Sequence, residues 1–174
     1  MRPRHPSLPR VWLMTDPRMG DGLWKAIERL PRGAGIVFRH YELTQAERCA
    51  LFARIARVAS RRGLVLVRAG TRPMRGEQGA HNAGRRTGIL TRAVHSRRDL
   101  VAAARDRVDA VFLSPVFATR SHPGSKTVGT VRLGLMRGAI SMPIIALGGM
   151  DSVKMRRLHG LRLHGWAGID AWTR

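Results

Sequence analysis

The sequence predicts a small parallel (β/α)8 barrel of the TIM type, with shortened third and fourth helices and a missing final helix. Short apolar runs alternate with helical stretches along the chain, the rhythm of repeated βα units. The strand-like runs number eight, as a closed barrel requires. Several of them, such as LVLV and AVFL, are apolar at consecutive positions, as strands covered on both faces are. A doubly wound open sheet is the competing arrangement, because alternation alone does not distinguish it from a closed one. The 174 residues are expected to form one domain, 1–174, at the lower limit for a barrel.

The first strand is VWLMTD, from Val11 to Asp16. A helix from Asp21 carries Leu23, Trp24, Ile27 and Leu30 at helical spacing and stops at Pro31. Ala34 to Phe38 forms the second strand. Thr44 with Glu47 three residues later reads as a capping box, opening a helix to Arg62 with Gly63 as its stop. The expected inner face of that helix is Ala46, Ala50, Phe52, Ile55 and Val58.

Leu64 to Val67 is the third strand and GAHN a short fourth, with little helical signal on either side of it. The fifth strand, ILTRAV, starts at Ile89. Ser96 caps a helix to about Arg107 with Leu100, Val101 and Ala104 turned inward. The sixth strand runs from Ala110 to Ser114, and a loop rich in Pro, Ser, Thr and Gly leads to a helix at 130–139. Pro143 to Leu147 is the seventh strand, followed by the Gly148-Gly149 turn and a helix from Ser152 to His159. His164 to Ile169 is the eighth. With no helix behind it, an apolar flank is left bare, and a homodimer contact through Trp166 and Trp172 or ordinary core packing of both would cover it.

The formal charge of +21 is almost wholly arginine, with lysine only at Lys25, Lys126 and Lys154. The arginines are spread from Arg2 to Arg174 and few aromatics accompany them, so a solvated surface is favoured over a nucleic-acid footprint. No window is long and apolar enough for a membrane span, and MRPRHPSLPR lacks the apolar core of a secretory signal. Neither nucleic acid nor membrane is an expected partner. The lone Cys49 supplies no disulfide or cysteine metal cluster, and the cytoplasm is the expected compartment.

Two glycines directly after a buried strand let backbone N–H groups approach an anion, and the loops after strands seven and eight are where barrels bind phosphate. Gly148, Gly149, Gly168 and Ile169 are the expected donors. A tight turn is the plain structural alternative. The loop SPVFATRSHPGSK, at the carboxyl end of the sixth strand, adds Thr119, Ser121, His122, Gly124 and Lys126. Asp16 and Asp170, at the ends of the first and eighth strands, read as turn-capping carboxylates.

VWLMTD, IVFRHYEL, VHSRRDL, DAVFLSPVFATRSHPG and PIIALGGM together make the chain resemble, nearly end to end, the thiamine phosphate synthase superfamily, which includes the thiazole tautomerases. The resemblance implies a phosphate-binding barrel that joins a thiazole phosphate to a pyrimidine methyl diphosphate with magnesium and expels diphosphate. Of the family's second-strand pattern only the arginine is kept, as Arg39, which the resemblance assigns to catalysis. The family's magnesium aspartates follow strands three and four. The corresponding segments VRAGTRPM and GAHNAGRR contain no carboxylate, and Glu77 lies between them. Magnesium requires oxygen ligands. No metal ligand is therefore assigned, and Arg68, Arg85 and Arg86 are candidates for the missing counter-charge.

The expected function is a thiamine phosphate synthase-like barrel that binds a thiazole phosphate or a similar small phosphate, with the diphosphate and metal part of its site degenerate. A thiazole tautomerase-type isomerase and a phosphate-binding protein without catalysis are the alternatives. Tautomerisation needs only a general acid/base beside an anchored ring, for which His40, His81, His95 and His122 are candidates. His122 leads, because it lies in the loop over the expected phosphate.

Overall fold

The computed structural model describes residues 7–83, 88–119, 127–138 and 141–173. Eight parallel strands close into a barrel in sequential order: β1 Val11–Met14, β2 Gly35–Phe38, β3 Val65–Ala69, β4 Gly79–His81, β5 Ile89–Val94, β6 Ala110–Leu113, β7 Ile144–Ala146 and β8 Gly165–Gly168. Closure is made where Trp12 of β1 registers with Ala167 of β8. The open-sheet alternative is thereby excluded.

Outside the strands lie α1 Gly22–Arg29, α2 Gln45–Arg62, α3 Arg97–Arg105, α4 Gly129–Gly138, α5 Ser152–Arg157 and α6 Asp170–Thr173. Among the described residues no helix separates β3 from β4 or β4 from β5, and the last helix is the single turn of α6. The Thr44–Glu47 capping box is present, and Gly63 ends α2 in the left-handed conformation with φ +64°. Ser96 caps α3 and also forms a capping box, with Asp99.

Trp12, Met14, Val37, Val67, Phe112 and Ile145 fill the barrel interior. Trp12 packs edge-on to Phe112 with centroids 5.3 Å apart. Gly35 makes room for it, since a Cβ there would lie 2.2 Å from the indole. Two outer layers pack helices on the sheet, and the burial of Phe52 of α2 alone is worth about 2 kcal/mol.

Two helix faces differ from expectation. In α2 the buried residues are Phe52, Ile55 and Ala59, while Ala46 and Ala50 are exposed. In α3 they are Leu100 and Ala103, while Val101 and Ala104 are exposed. Alanine adds little to an amphipathic pattern, so the docking of the larger Phe52, Ile55 and Leu100 sets the rotation of each helix.

The flank beside β1 and β8 is covered by the chain itself. Trp172 of α6 stacks on Trp166 at 5.2 Å and donates its indole N–H to the Trp12 carbonyl at 3.2 Å. Arg29 of α1 holds the Trp172 carbonyl at 3.1 Å. The two rings are packed against one another within the chain. One helical turn suffices because a single indole spans the gap.

Candidate functional site

A cleft of about 370 Å³ opens at the carboxyl ends of the strands. Arg39 reaches it from β2, His95 from β5, Ser114 and Thr119 from the β6 loop, Gly148 and Gly149 from the β7 turn, and Gly168 and Ile169 from β8. It therefore gathers six of the expected site residues: Arg39, Thr119, Gly148, Gly149, Gly168 and Ile169. Ser121, His122, Gly124 and Lys126 lie outside the described residues, as do Arg85 and Arg86.

The glycine turn has two local reasons. Gly148 and Gly149 have φ of +94° and +59°, which side chains strain to adopt. A Cβ on Gly148 would also lie 2.8 Å from Pro115, and one on Gly149 2.4 Å from the Ala118 carbonyl oxygen. Phe117 N–H donates to the Gly148 carbonyl at 3.1 Å, so the β6 loop rests directly on the β7 turn. Close approach of two loops thus demands glycine here before any ligand is considered.

Lys154 is the cleft residue that the sequence pattern did not reveal. Asp151 caps α5 by accepting from the Lys154 N–H at 2.8 Å, which sets Lys154 in the first turn. Its Nζ donates to the Gly149 carbonyl, lies 3.7 Å from an Asp151 carboxylate oxygen and sits 5.4 Å from the Phe117 ring centre. A capping aspartate followed three residues later by lysine was the available signal.

At the opposite rim Asp16 is almost fully buried. Arg18 donates to both of its oxygens, at 2.7 and 3.2 Å, and the Arg39 guanidinium lies 3.8 Å away. Burial pushes the Asp16 carboxyl up, but hydrogen bonds from Arg18 and the two guanidinium charges outweigh it and hold the group below the ordinary carboxylate range. Thr15 Oγ accepts from the Arg39 N–H at 2.9 Å, fixing the end of β2.

The histidines separate clearly. His81 is buried in the barrel, its Nδ1 3.0 Å from the Thr91 hydroxyl and its ring edge-on to Phe112. Burial, with a smaller contribution from Arg39, lowers it to about pKa 3. Buried beside Phe112, it is not among the residues that line the cleft. His40 is also buried, 3.0 Å from Thr15 Oγ and stacked on Phe38, and burial lowers its pKa as well. His95 alone of the three lines the cleft. Its Nδ1 lies 2.9 Å from the Ser114 carbonyl oxygen, which can only accept. The Ser114 hydroxyl also lies 3.3 Å from Nδ1, and in the tautomer whose Nδ1 donates to the carbonyl the lone pair is on Nε2.

The carboxylates near the cleft are each engaged with a cation or a cap. Asp16 is held between two arginines, Asp151 is the α5 cap facing Lys154, and Asp170 acts on the Arg18 charge. No group of three His, Cys, Asp or Glu residues suited to a metal occurs among the described residues. Glu77 Oε2 lies 2.6 Å from Arg68 Nε and accepts from the Met74 N–H at 2.8 Å. Arg68 registers beside Phe38 and Ala80, on the helix side of the sheet, and is not the missing counter-charge at the mouth. In strands that are apolar on both faces, the sequence does not mark which side an arginine takes.

A family model described as thiamine monophosphate synthase matches residues 76–172. An Aquifex aeolicus protein named "Putative thiamine-phosphate synthase 2" is 30% identical over 82 residues, 47% of this chain and 44% of that protein. The aligned stretch thus spans less than half of that relative. Among solved structures, thiamine phosphate pyrophosphorylase from Pyrococcus furiosus superposes with a TM-score of 0.74 at 15% identity, over 93% of this chain and 86% of that one. The glycerol uptake operon antiterminator regulatory protein from Listeria monocytogenes superposes with a TM-score of 0.62 at 10% identity, over 93% and 92%. At these identities the two structures speak for the barrel alone. The family match covers more than half of the chain and coincides with the β6 loop, the glycine turn and β8, and on that ground the chain belongs to the thiamine monophosphate synthase family.

Proposed function

We propose that this chain is a thiamine phosphate synthase-like barrel of thiamine biosynthesis that binds a thiazole phosphate or a similar small phosphate in the cleft. The diphosphate and metal part of its site is degenerate. One observation carries the reading: the backbone after β7 and the backbone after β8 line the same cleft as Arg39 and Thr119. In this role Gly148, Gly149, Gly168 and Ile169 supply N–H donors, Thr119, Ser121 and Lys126 supply side-chain donors, and Arg39 adds charge.

His95 favours a second reading, a thiazole tautomerase-type isomerase. Its Nε2 lone pair can take a proton from a ring carbon and return it to another position, a step that needs no metal. His122, outside the described residues, is the other acid/base candidate. Cytoplasmic location belongs to the same proposal, alongside the finding that no helix among the described residues is long and apolar enough to cross a membrane. A homodimer is also proposed. Exposed Val131 and Leu135 of α4 are among the apolar side chains available for it, and sedimentation showing a monomer at micromolar concentration removes that part.

Isothermal titration with a thiazole phosphate tests the binding, and absence of heat at millimolar ligand overturns it. Complementation of a thiamine auxotroph then separates an enzyme from a binding protein. His95→Gln and His122→Ala identify the acid/base: the true one lowers turnover at least 100-fold while leaving affinity nearly unchanged.

A further inference from the structure

We propose that Lys154 is an anion-binding residue of the cleft, whose ammonium, together with the Arg39 guanidinium, serves as the counter-charge for a phosphate monoester without a divalent cation. The inference rests on the phosphate-binding reading above and extends it to a residue and to a metal requirement.

The position of Lys154 is built by the fold. The Asp151 cap places it in the first turn of α5, and its side chain runs back over the glycine turn to the Gly149 carbonyl. The Phe117 ring flanks the ammonium, which favours a cation on the ring face. An ammonium has three donors. Gly149 takes one, and the Asp151 oxygen at 3.7 Å attracts through space without a hydrogen bond. Among the described residues Lys154 is the one lysine on the cleft wall, and it is only partly exposed.

Charge counting makes its contribution decisive. Arg39 and Lys154 face Asp151 and Asp170 along the described cleft wall, with the Arg18–Asp16 pair beside it. Arg18 and Arg39 share the buried Asp16 between them. The Asp151 carboxylate is fixed as a helix cap, so Lys154 keeps ammonium donors to turn toward a ligand. Without it the described cleft wall carries one cation against two carboxylates, a balance that weakens binding of a dianion. A metal does not restore the balance, since each of those carboxylates already faces a cation and no three of them converge.

The test is isothermal titration of the full chain with inorganic phosphate, in EDTA and again with magnesium. Lys154→Met, which keeps the stem over Phe117, is expected to bind at least tenfold more weakly. Lys154→Arg is expected to stay within threefold of the parent, and magnesium to change neither parent nor variants by more than twofold. Thermal melts show whether each variant is folded, and Lys154→Gln takes the place of Lys154→Met if the latter is not. Parent-like binding by a folded Met or Gln variant overturns the proposal while leaving the phosphate reading intact. Tenfold tighter binding in magnesium also overturns it. If the parent binds no phosphate at all, the phosphate reading fails and this inference fails with it.

Discussion

Trp172 stacks on Trp166 with ring centroids 5.2 Å apart and an interplanar angle of 7°, and this one contact closes the outside of the barrel where the last strand meets the first. A full helix usually covers that seam in a (β/α)8 barrel. Here a single turn does so. Its indole touches both outer apolar layers and hydrogen-bonds the Trp12 carbonyl. Trp172→Ala is therefore expected to cost about 3 kcal/mol, from lost apolar contact and an uncovered seam. Urea unfolding measures it. A change below about 0.5 kcal/mol, the range of an ordinary surface substitution, contradicts the role.

His81 makes stability depend on pH. Burial lowers its folded pKa to about 3, against about 6.5 when unfolded. Between those values the unfolded chain holds a proton that the folded chain does not, so stability rises with pH across this window and is complete above it. Acidification from pH 6.5 to 5 should lower stability by about 1 kcal/mol per pH unit through this group. Asp16, whose folded pKa is depressed, adds loss in the same direction at lower pH, as it becomes protonated. Urea midpoints of the parent and His81→Asn at pH 7 and pH 5 give the measurement, with the parent expected to show the steeper fall. Equal slopes contradict the assignment.

Gly149→Val is expected to weaken the fold as well as the site. The new side chain must adopt φ +59° and would press on the Ala118 carbonyl, so the β6 loop has to move. We expect a cost of about 2 kcal/mol or more, and loss of phosphate binding with it. Gly160, whose Cβ position is open, is the matched control, and Gly160→Ala should be nearly neutral. A Gly149→Val variant as stable as the parent shows that the two loops are not in the contact described.

Most of the strands were legible because each is a short apolar run, whereas β4, Gly79–His81, lacks that mark. The Thr44 and Ser96 caps and the Gly63 stop were legible for the same reason: each is a local hydrogen-bonding pattern that a few residues specify. Thr119 and the glycines of the cleft followed from these, since their places at strand ends mark the chemical end of a barrel, whereas Arg39 came from the resemblance of the second strand. Lys154 did not follow, because only the docking of α5 under the β7 turn brings its ammonium to Gly149.

Closure and side were settled by long-range packing. Nothing near Trp12 names Ala167 as its partner, yet that register turns eight strands into a barrel instead of an open sheet. Where both faces of a strand are apolar, the two-residue alternation that marks inside from outside vanishes. Arg68 behind the sheet and His81 within the barrel were therefore indistinguishable as site candidates until the strands were paired. The chain's local chemistry specified the pieces and which ends of them carry function. Which side chains face one another across the mouth depended on contacts between residues far apart in sequence, and no short pattern encodes those.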